Sequence, residues 1–261
     1  MQDPLLKAHT GPADSDGTRQ VSRQVTRTVT VENSLLAAIP PREYRRLLPM
    51  LEPVTLTFGD VLCEPAESIN HVYFPDKSLV SLLTIADGHL ALEVGLIGRE
   101  GMVGVPLILG QDVSFVRALV QGSGTASRMP AAIFLREFHL SLPLRTELYR
   151  YTHALMAQIS QTAACNRFHV VETRLARWLL MTHDRVRSDQ FRMTHEFLGH
   201  MLGVRRVGVT KAAQALQKGK LISYSRGDIT ILDRAGLEAA ACECYEVVKN
   251  MHERAGAGPA R

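Results

Sequence analysis

Two glycines four residues apart, Gly199 and Gly203, punctuate the stretch THEFLGHMLGVRRVGVTKAAQALQKGKLI at residues 194–222. Leu198 and Leu202 fall on one helical face ahead of the break, and Gly199 between them is small enough for a second helix to approach closely. Gly203 suits a turn that needs positive φ. A second helix is expected from about Arg205, with Val209, Ala212, Ala213 and Leu216 as its apolar face. Its other face carries Arg205, Arg206 and Lys211. Arg206 and Lys211, five residues apart, lie roughly 140° around the helix and flank an outward surface. The pattern predicts a helix-turn-helix whose second helix could enter a DNA major groove. The competing reading is a plain helical hairpin with a solvated basic face.

The residues that follow favour the first reading. LISY at 221–224 and ITIL at 229–232 flank SRGD at 225–228, which supplies turn chemistry for a β-hairpin. A hairpin after a helix-turn-helix is the winged-helix arrangement. Tyr224 and Arg226 fall near the wing tip, where contact with phosphate or the minor groove and a purely structural role both fit. Residues 172–227 hold eleven Lys and Arg against four Asp and Glu, a net +7, whereas the whole chain is only +4. The positive excess is concentrated where phosphate neutralisation would need it.

The chain has 261 residues, 46% of them hydrophobic and 21% charged, enough for a sizeable core and two domains. No apolar run approaches the ~20 residues that span a bilayer, and the N-terminus has no apolar signal core. A cytoplasmic chain with no membrane partner is expected. The four cysteines, Cys63, Cys165, Cys242 and Cys244, are scattered. Cys242 and Cys244 lack a second pair for zinc, so all four are read as reduced thiols, with no metal site.

Residues 1–32 read as a mobile tail. From Ser34, short helices are punctuated by Pro40, Pro41, Pro49 and Pro53. Residues 54–134 then change character. Short β-branched or alternating runs at 54–58, 71–74, 79–85, 90–97 and 115–121 predict a compact antiparallel barrel or jelly roll. Residues 134–184 read as helical, with a hinge near Asn166. Leu144, Leu148, Tyr151, Leu155, Ile159 and Thr162 recur at intervals of three and four, an a/d-like seam that suits a dimer. Packing of the same stripe against the chain's own β domain is the alternative. Residues 233–253 read as one terminal helix.

This order of β-roll, long helix and winged helix-turn-helix resembles the Crp/Fnr family of bacterial transcription regulators over about residues 34–250. The resemblance rests on Gly59, Asp60, Val61 and Leu62, on Val72, Tyr73 and Phe74, and on Gly199, Gly203, Arg206, Val209 and Lys211. It implies an α+β chain: an N-terminal jelly-roll-like antiparallel sensor domain resembling cyclic-nucleotide-binding domains (33–137), a dimerisation helix and hinge (138–168), a C-terminal winged helix-turn-helix (169–253) and a short tail (254–261). It implies that Arg206 and Lys211 contact bases and that Thr194 contacts phosphate. The implied partners are double-stranded DNA, a second copy of the chain and RNA polymerase.

The departures are informative. Val207 stands where the family carries an acidic residue and cannot accept a hydrogen bond from cytosine, so the operator should differ there. Arg205 replaces the usual Ser that opens the recognition helix and forfeits a cap of ~1 kcal/mol. Gly208 inside that helix costs about 1 kcal/mol against Ala. In the effector pocket, Gly101-Met102-Val103-Gly104-Val105-Pro106 occupies the first phosphate element, with Val105 in place of the ribose-binding Glu. The second element is represented by Arg117-Ala118-Leu119. These changes predict that cyclic AMP is not a tight effector and leave the effector unknown. Residues 1–62 hold no cysteine, so the family's N-terminal iron–sulfur option is not supported, and His71, His89 and Cys63 read as ordinary surface or core.

An enzyme is a poorer reading. His195 and His200 are five residues apart and lie ~140° apart on a helix, so they do not form a zinc-protease face. A ligand-sensing or interaction module without DNA is the remaining alternative, and it would be indifferent to loss of Arg206 and Lys211.

Overall fold

A computed structural model describes residues 31–86 and 90–257. Residues 1–30 of the tail expected at 1–32, His89 and the last residues, 258–261, lie outside the described residues. Asn33, near the start of the described chain, is fully buried. Its side chain caps α1 (Ser34–Ala37) by accepting from Leu36 N, and donates to the carbonyls of Pro75 and Gly101. This end of the described chain is thereby fixed to the roll. Pro41 opens α2 (Pro41–Leu47), as a proline at a first helical turn should.

Two sheets follow. β1 (Glu52–Leu56), β7 (Gly124–Pro130) and β3 (His71–Pro75) form one, in the order β1-β7-β3. β2 (Val61–Cys63), β6 (Arg117–Gly122), β4 (Leu79–Ala86) and β5 (Leu90–Ile97) form the other, in the order β2-β6-β4-β5. All pairings are antiparallel. The three-residue β2 and the mostly polar and small β7 carry too little apolar periodicity to be read from sequence. The β4–β5 register slips between Leu82 and Leu83, whose partners are Gly95 and Glu93, so Val94 is the extra residue of a bulge. The short α3 (Val105–Ile108) begins after Gly104, whose φ of 113° only glycine adopts easily.

Helices occupy the middle of the chain. α4 (Ala131–Leu140) ends at Ser141, which caps α5 (Leu142–Phe168) by accepting from Leu144 N at 3.3 Å. α6 (Val171–Val186) follows a break at residues 169–170. The predicted winged helix-turn-helix, here called the reader, comprises β8 (Gln190–Arg192), α7 (His195–Leu202), α8 (Arg206–Lys218), β9 (Ile222–Ser225) and β10 (Asp228–Ile231). Its wing is three-stranded, β8-β10-β9, and not the two-stranded hairpin the sequence suggested. The segment expected as one terminal helix is two, α9 (Arg234–Ala240) and α10 (Cys244–Ala257), broken at residues 241–243. α10 continues past 253 and packs along α5.

The apolar core has two main parts. One fills the roll and the inner face of α5. The other joins α6, α7, α8 and the wing with Leu79, Leu83 and Leu96 from the outer side of the four-stranded sheet. Trp178 donates to Glu93 across that boundary at 3.0 Å. Among the described residues no helix is long and apolar enough to cross a membrane.

Candidate nucleic-acid interface

Local chemistry builds the reader. Thr194 caps α7, its hydroxyl accepting from Phe197 N at 3.1 Å. Gly203 ends α7 at φ 62° and ψ 39°, the left-handed C-cap predicted. A Cβ on Gly199 would sit 2.9 Å from the Val204 carbonyl, so the glycine is needed for the turn to fold back. Val209, Ala212, Ala213 and Leu216 are buried beneath α8, as its spacing required.

The outward residues of α8 stand free. Arg205, Arg206, Val207 and Lys211 are exposed. Among the described residues, none of the three cations has a carboxylate within ion-pair distance. Arg205 occupies the N-cap of α8 without a side-chain cap, as its replacement of Ser implied. The first turn of α8 therefore presents uncapped N–H groups beside three positive side chains, which is anion-binding geometry. Val207, 60% exposed, is an apolar tooth on this surface. Gly208 lies in the first turn, where a Cβ would meet only Val204 at 3.9 Å.

The two wing residues part company. Arg226 and Gly227 both have positive φ, 52° and 94°, as a type I′ hairpin turn demands, and Arg226 is exposed at the tip. Tyr224 is half-buried. Its hydroxyl donates to the Met193 carbonyl at 3.0 Å, and its ring stacks on His195 with centroids 4.3 Å apart. Of the two roles considered for Tyr224, these contacts support the structural one, a brace for the wing. His195 continues that brace toward α8, its Nδ1 lying 3.0 Å from Thr210 Oγ1. Burial, and next the Arg206 charge, push the His195 pKa down, favouring the neutral ring. Sequence reasoning used His195 only to reject a zinc helix; nothing in its spacing signals a strut.

The expected dimer seam is also corrected. Leu144, Leu148, Tyr151 and Leu155 are buried in the roll's core, Thr162 is buried, and Ile159 is half-buried against the same core. The spacing identified a stripe that is covered, but the chain's own sheets cover it. Gln158, absent from the predicted stripe, lies buried within it and pairs with β5, accepting from Leu96 N and donating to Leu96 O. A second stripe, Leu142, Tyr149, His153, Met156, Ser160 and Ala163, is exposed along another face of α5, with Met156 also bordering the roll's cavity.

The roll encloses a cavity bounded mainly by apolar side chains, including Leu82, Val94, Ile97, Val105 and Leu155. Gly104 and Val105 line it, whereas Gly101 and Arg117 do not. Gly101 lies against Tyr151, whose ring a Cβ there would overlap. The Arg117 guanidinium is held 2.9 Å from Glu64 outside the cavity. The hydroxyls of Thr152 and Ser114, both on the cavity wall, donate to the Leu148 and Val116 carbonyls.

The expectation that no residues gather for a metal is overturned. Cys165, His169, Cys242 and Cys244 each offer a ligand atom, and all four atoms lie within 4.8 Å of one another. Cys165 Sγ is 3.5 Å from Cys242 Sγ, and Cys244 Sγ is 3.4 Å from His169 Nδ1. This Cys3His cluster could hold a metal ion. The break at residues 241–243 turns both terminal cysteines to the same point. In the continuous helix expected there they would diverge by ~200°.

Residues 173–240 match the Crp-like helix-turn-helix domain family. No curated protein matches the chain in sequence. Among solved structures, the fold is similar to FixK2 from Bradyrhizobium japonicum, with 12% identity, a TM-score of 0.63, and coverage of 74% of this chain and 98% of that one. It is similar to TTHA1359, a CRP/FNR-family transcriptional regulator from Thermus thermophilus, with 21% identity, a TM-score of 0.58, and coverage of 73% and 98%. It is also similar to CLP from Xanthomonas campestris, described as a c-di-GMP-responsive global regulator, with 16% identity, a TM-score of 0.57, and coverage of 74% and 99%. Residues 173–240 thus carry a Crp-like helix-turn-helix domain, and the chain shares with these regulators the fold that sets such a domain behind a two-sheet roll and a long helix.

Proposed function

We propose that the protein is a sequence-specific regulator that binds a near-palindromic operator as a homodimer, and that cyclic AMP does not control it. The observation that carries the DNA reading is the unpaired cationic start of α8, with Arg205, Arg206 and Lys211 exposed around an uncapped helix N-terminus. Arg206 suits a bidentate hold on guanine, Lys211 a base or phosphate, and Arg226 at the wing tip a flanking phosphate. Thr194 sits at the start of α7, beside the same path. The Val207 side chain cannot take part in a hydrogen bond, so it favours an apolar contact, such as a thymine methyl group, at its base position.

The outward stripe of α5 supports a dimer. From Leu142 its members recur at intervals of seven, four, three, four and three residues, the period of a two-helix seam, and they are exposed. Two readers related by a two-fold axis would meet half-sites ~34 Å apart. The cavity argues against cyclic AMP. A phosphate there would find Val105 and other apolar walls, and the one nearby arginine of the expected phosphate element is paired with Glu64. Burying a phosphate without a partner costs several kcal/mol.

The test is selection of bound sequences from a random DNA pool. Affinity for the enriched site is then measured with and without cyclic AMP at one salt concentration. A palindrome held equally tightly in both conditions is expected. Binding only with cyclic AMP would overturn the effector reading, and the absence of any enriched site would overturn the operator reading.

A further inference from the structure

The geometry points to a zinc site formed by Cys165, His169, Cys242 and Cys244 that pins the start of α10 to the end of α5. Zinc with sulfur and imidazole ligands is tetrahedral, with Zn–S about 2.3 Å and Zn–N about 2.0–2.1 Å. Those bond lengths set ligand atoms about 3.8 Å apart for two sulfurs and about 3.6 Å for sulfur and nitrogen. The separations here, 3.5 Å between Cys165 and Cys242 and 3.4 Å between Cys244 and His169, lie close to those edges, and no pair exceeds 4.8 Å. Four donors this close surround one ion. A two-iron cluster needs its ligands divided into pairs and set apart by the cluster's width.

Charge supplies an independent argument. Arg174 and Arg177 are buried, 5% and 4% exposed. Neither has a carboxylate within ion-pair distance among the described residues, and the Nε of each lacks a hydrogen-bond partner. Arg177 reaches only Thr162 Oγ1, at 3.4 Å, and the Met181 sulfur, at 3.7 Å. Arg174 donates to Asn166 Oδ1 and the Leu202 carbonyl. Glu93 feels the Arg177 charge, but burial pushes its pKa up to about 7, so it is an incomplete counter-ion. Buried arginines need negative charge nearby. Three thiolates and a neutral imidazole around a dication leave one net negative charge beside them. On loading, three thiols would each give up a proton to solvent, a neutral His169 would donate its lone pair, and no electron would move. Gln161 already supplies an outer partner, its Nε2 donating to Cys244 Sγ at 3.0 Å.

The test is the metal content of the full-length chain, purified in a thiol-free reductant from zinc-supplemented culture, together with cobalt(II) substitution. About one zinc per chain is expected, and cobalt should give the intense visible bands of a tetrahedral thiolate site. Cys242→Ser and Cys244→Ser should lose stoichiometric zinc, while Cys63→Ser, whose thiol lies on β2 in the roll, keeps it. Gln161→Ala should weaken zinc binding about ten-fold. Folded wild-type chain that takes up no zinc would overturn the site, as would full zinc retention in both serine variants. Should the serine variants fail to fold, the wild-type cobalt spectrum decides, and weak octahedral bands without thiolate charge transfer would overturn it. None of these readouts uses DNA, so they stand apart from the operator selection.

Discussion

The two faces of α5 have nearly the same period and opposite fates. The inner face, Leu144, Leu148, Tyr151 and Leu155, closes the roll's core. The outer face, led by Leu142, Tyr149 and Met156, is left uncovered, at 63%, 52% and 59% exposed. Periodicity therefore reports that a stripe is apolar or small, never what covers it. α8 shows the same division without the ambiguity: Val209, Ala212 and Leu216 face inward, and its outward face is charged.

The largest effect should come from the covered side. Leu148→Ala removes a fully buried side chain and should cost ~2–5 kcal/mol in urea unfolding, with no direct effect on the outer stripe. A loss near zero would mean that the inner face is not core. Next comes Glu93, buried where the roll meets the reader. Its folded pKa of about 7 lies above the ordinary 4.5, so the folded state takes up a proton over that interval while the unfolded chain remains ionised. Stability from this group rises as pH falls from about 7 to 4.5 and is lost as pH rises again, a span of about 3 kcal/mol. Glu93→Gln should remove that component, seen as a flatter dependence when unfolding is compared at pH 5 and pH 8.

The exposed side should respond differently. Met156→Glu should weaken self-association at least about ten-fold by analytical ultracentrifugation. A wild-type chain that stays monomeric at high concentration would erase the distinction between the faces. On α8, Arg206→Ala should cost about 1–3 kcal/mol of operator affinity and relax one base position. The smallest effect belongs to Gly208→Ala. With only Val204 at 3.9 Å in its way, the added methyl should stabilise α8 by up to about 1 kcal/mol. If DNA affinity falls while stability rises, the glycine serves close approach to the backbone.

What the sequence made legible was local. Gly199, Gly203 and the spacing of Val209 and Leu216 lie within one short window, so the turn and both helices could be read from it. Most strands announced themselves through β-branched or alternating runs, whereas β2 and β8 have three residues each, β7 (GTASRMP) has few β-branched or large apolar residues, and all three are stabilised by partners far along the chain. The Cys3His cluster was illegible for a related reason. Its members come from the end of α5 and from a break before α10, 77 residues apart between Cys165 and Cys242. The pairing of Arg117 with Glu64 and the commitment of the Tyr224 hydroxyl likewise depend on tertiary neighbours that no spacing rule contains.

The core beneath the reader borrows Leu79, Leu83 and Leu96 from the roll, and Trp178 borrows its acceptor from Glu93. A fragment cut free after α5 would expose an apolar surface where those residues had been and would leave the indole N–H of Trp178 to water. In this arrangement the reader is not an autonomous cassette. Transplanting it onto another sensor would require repairing that surface first, and a fragment that aggregates would say nothing about how well the intact protein reads DNA.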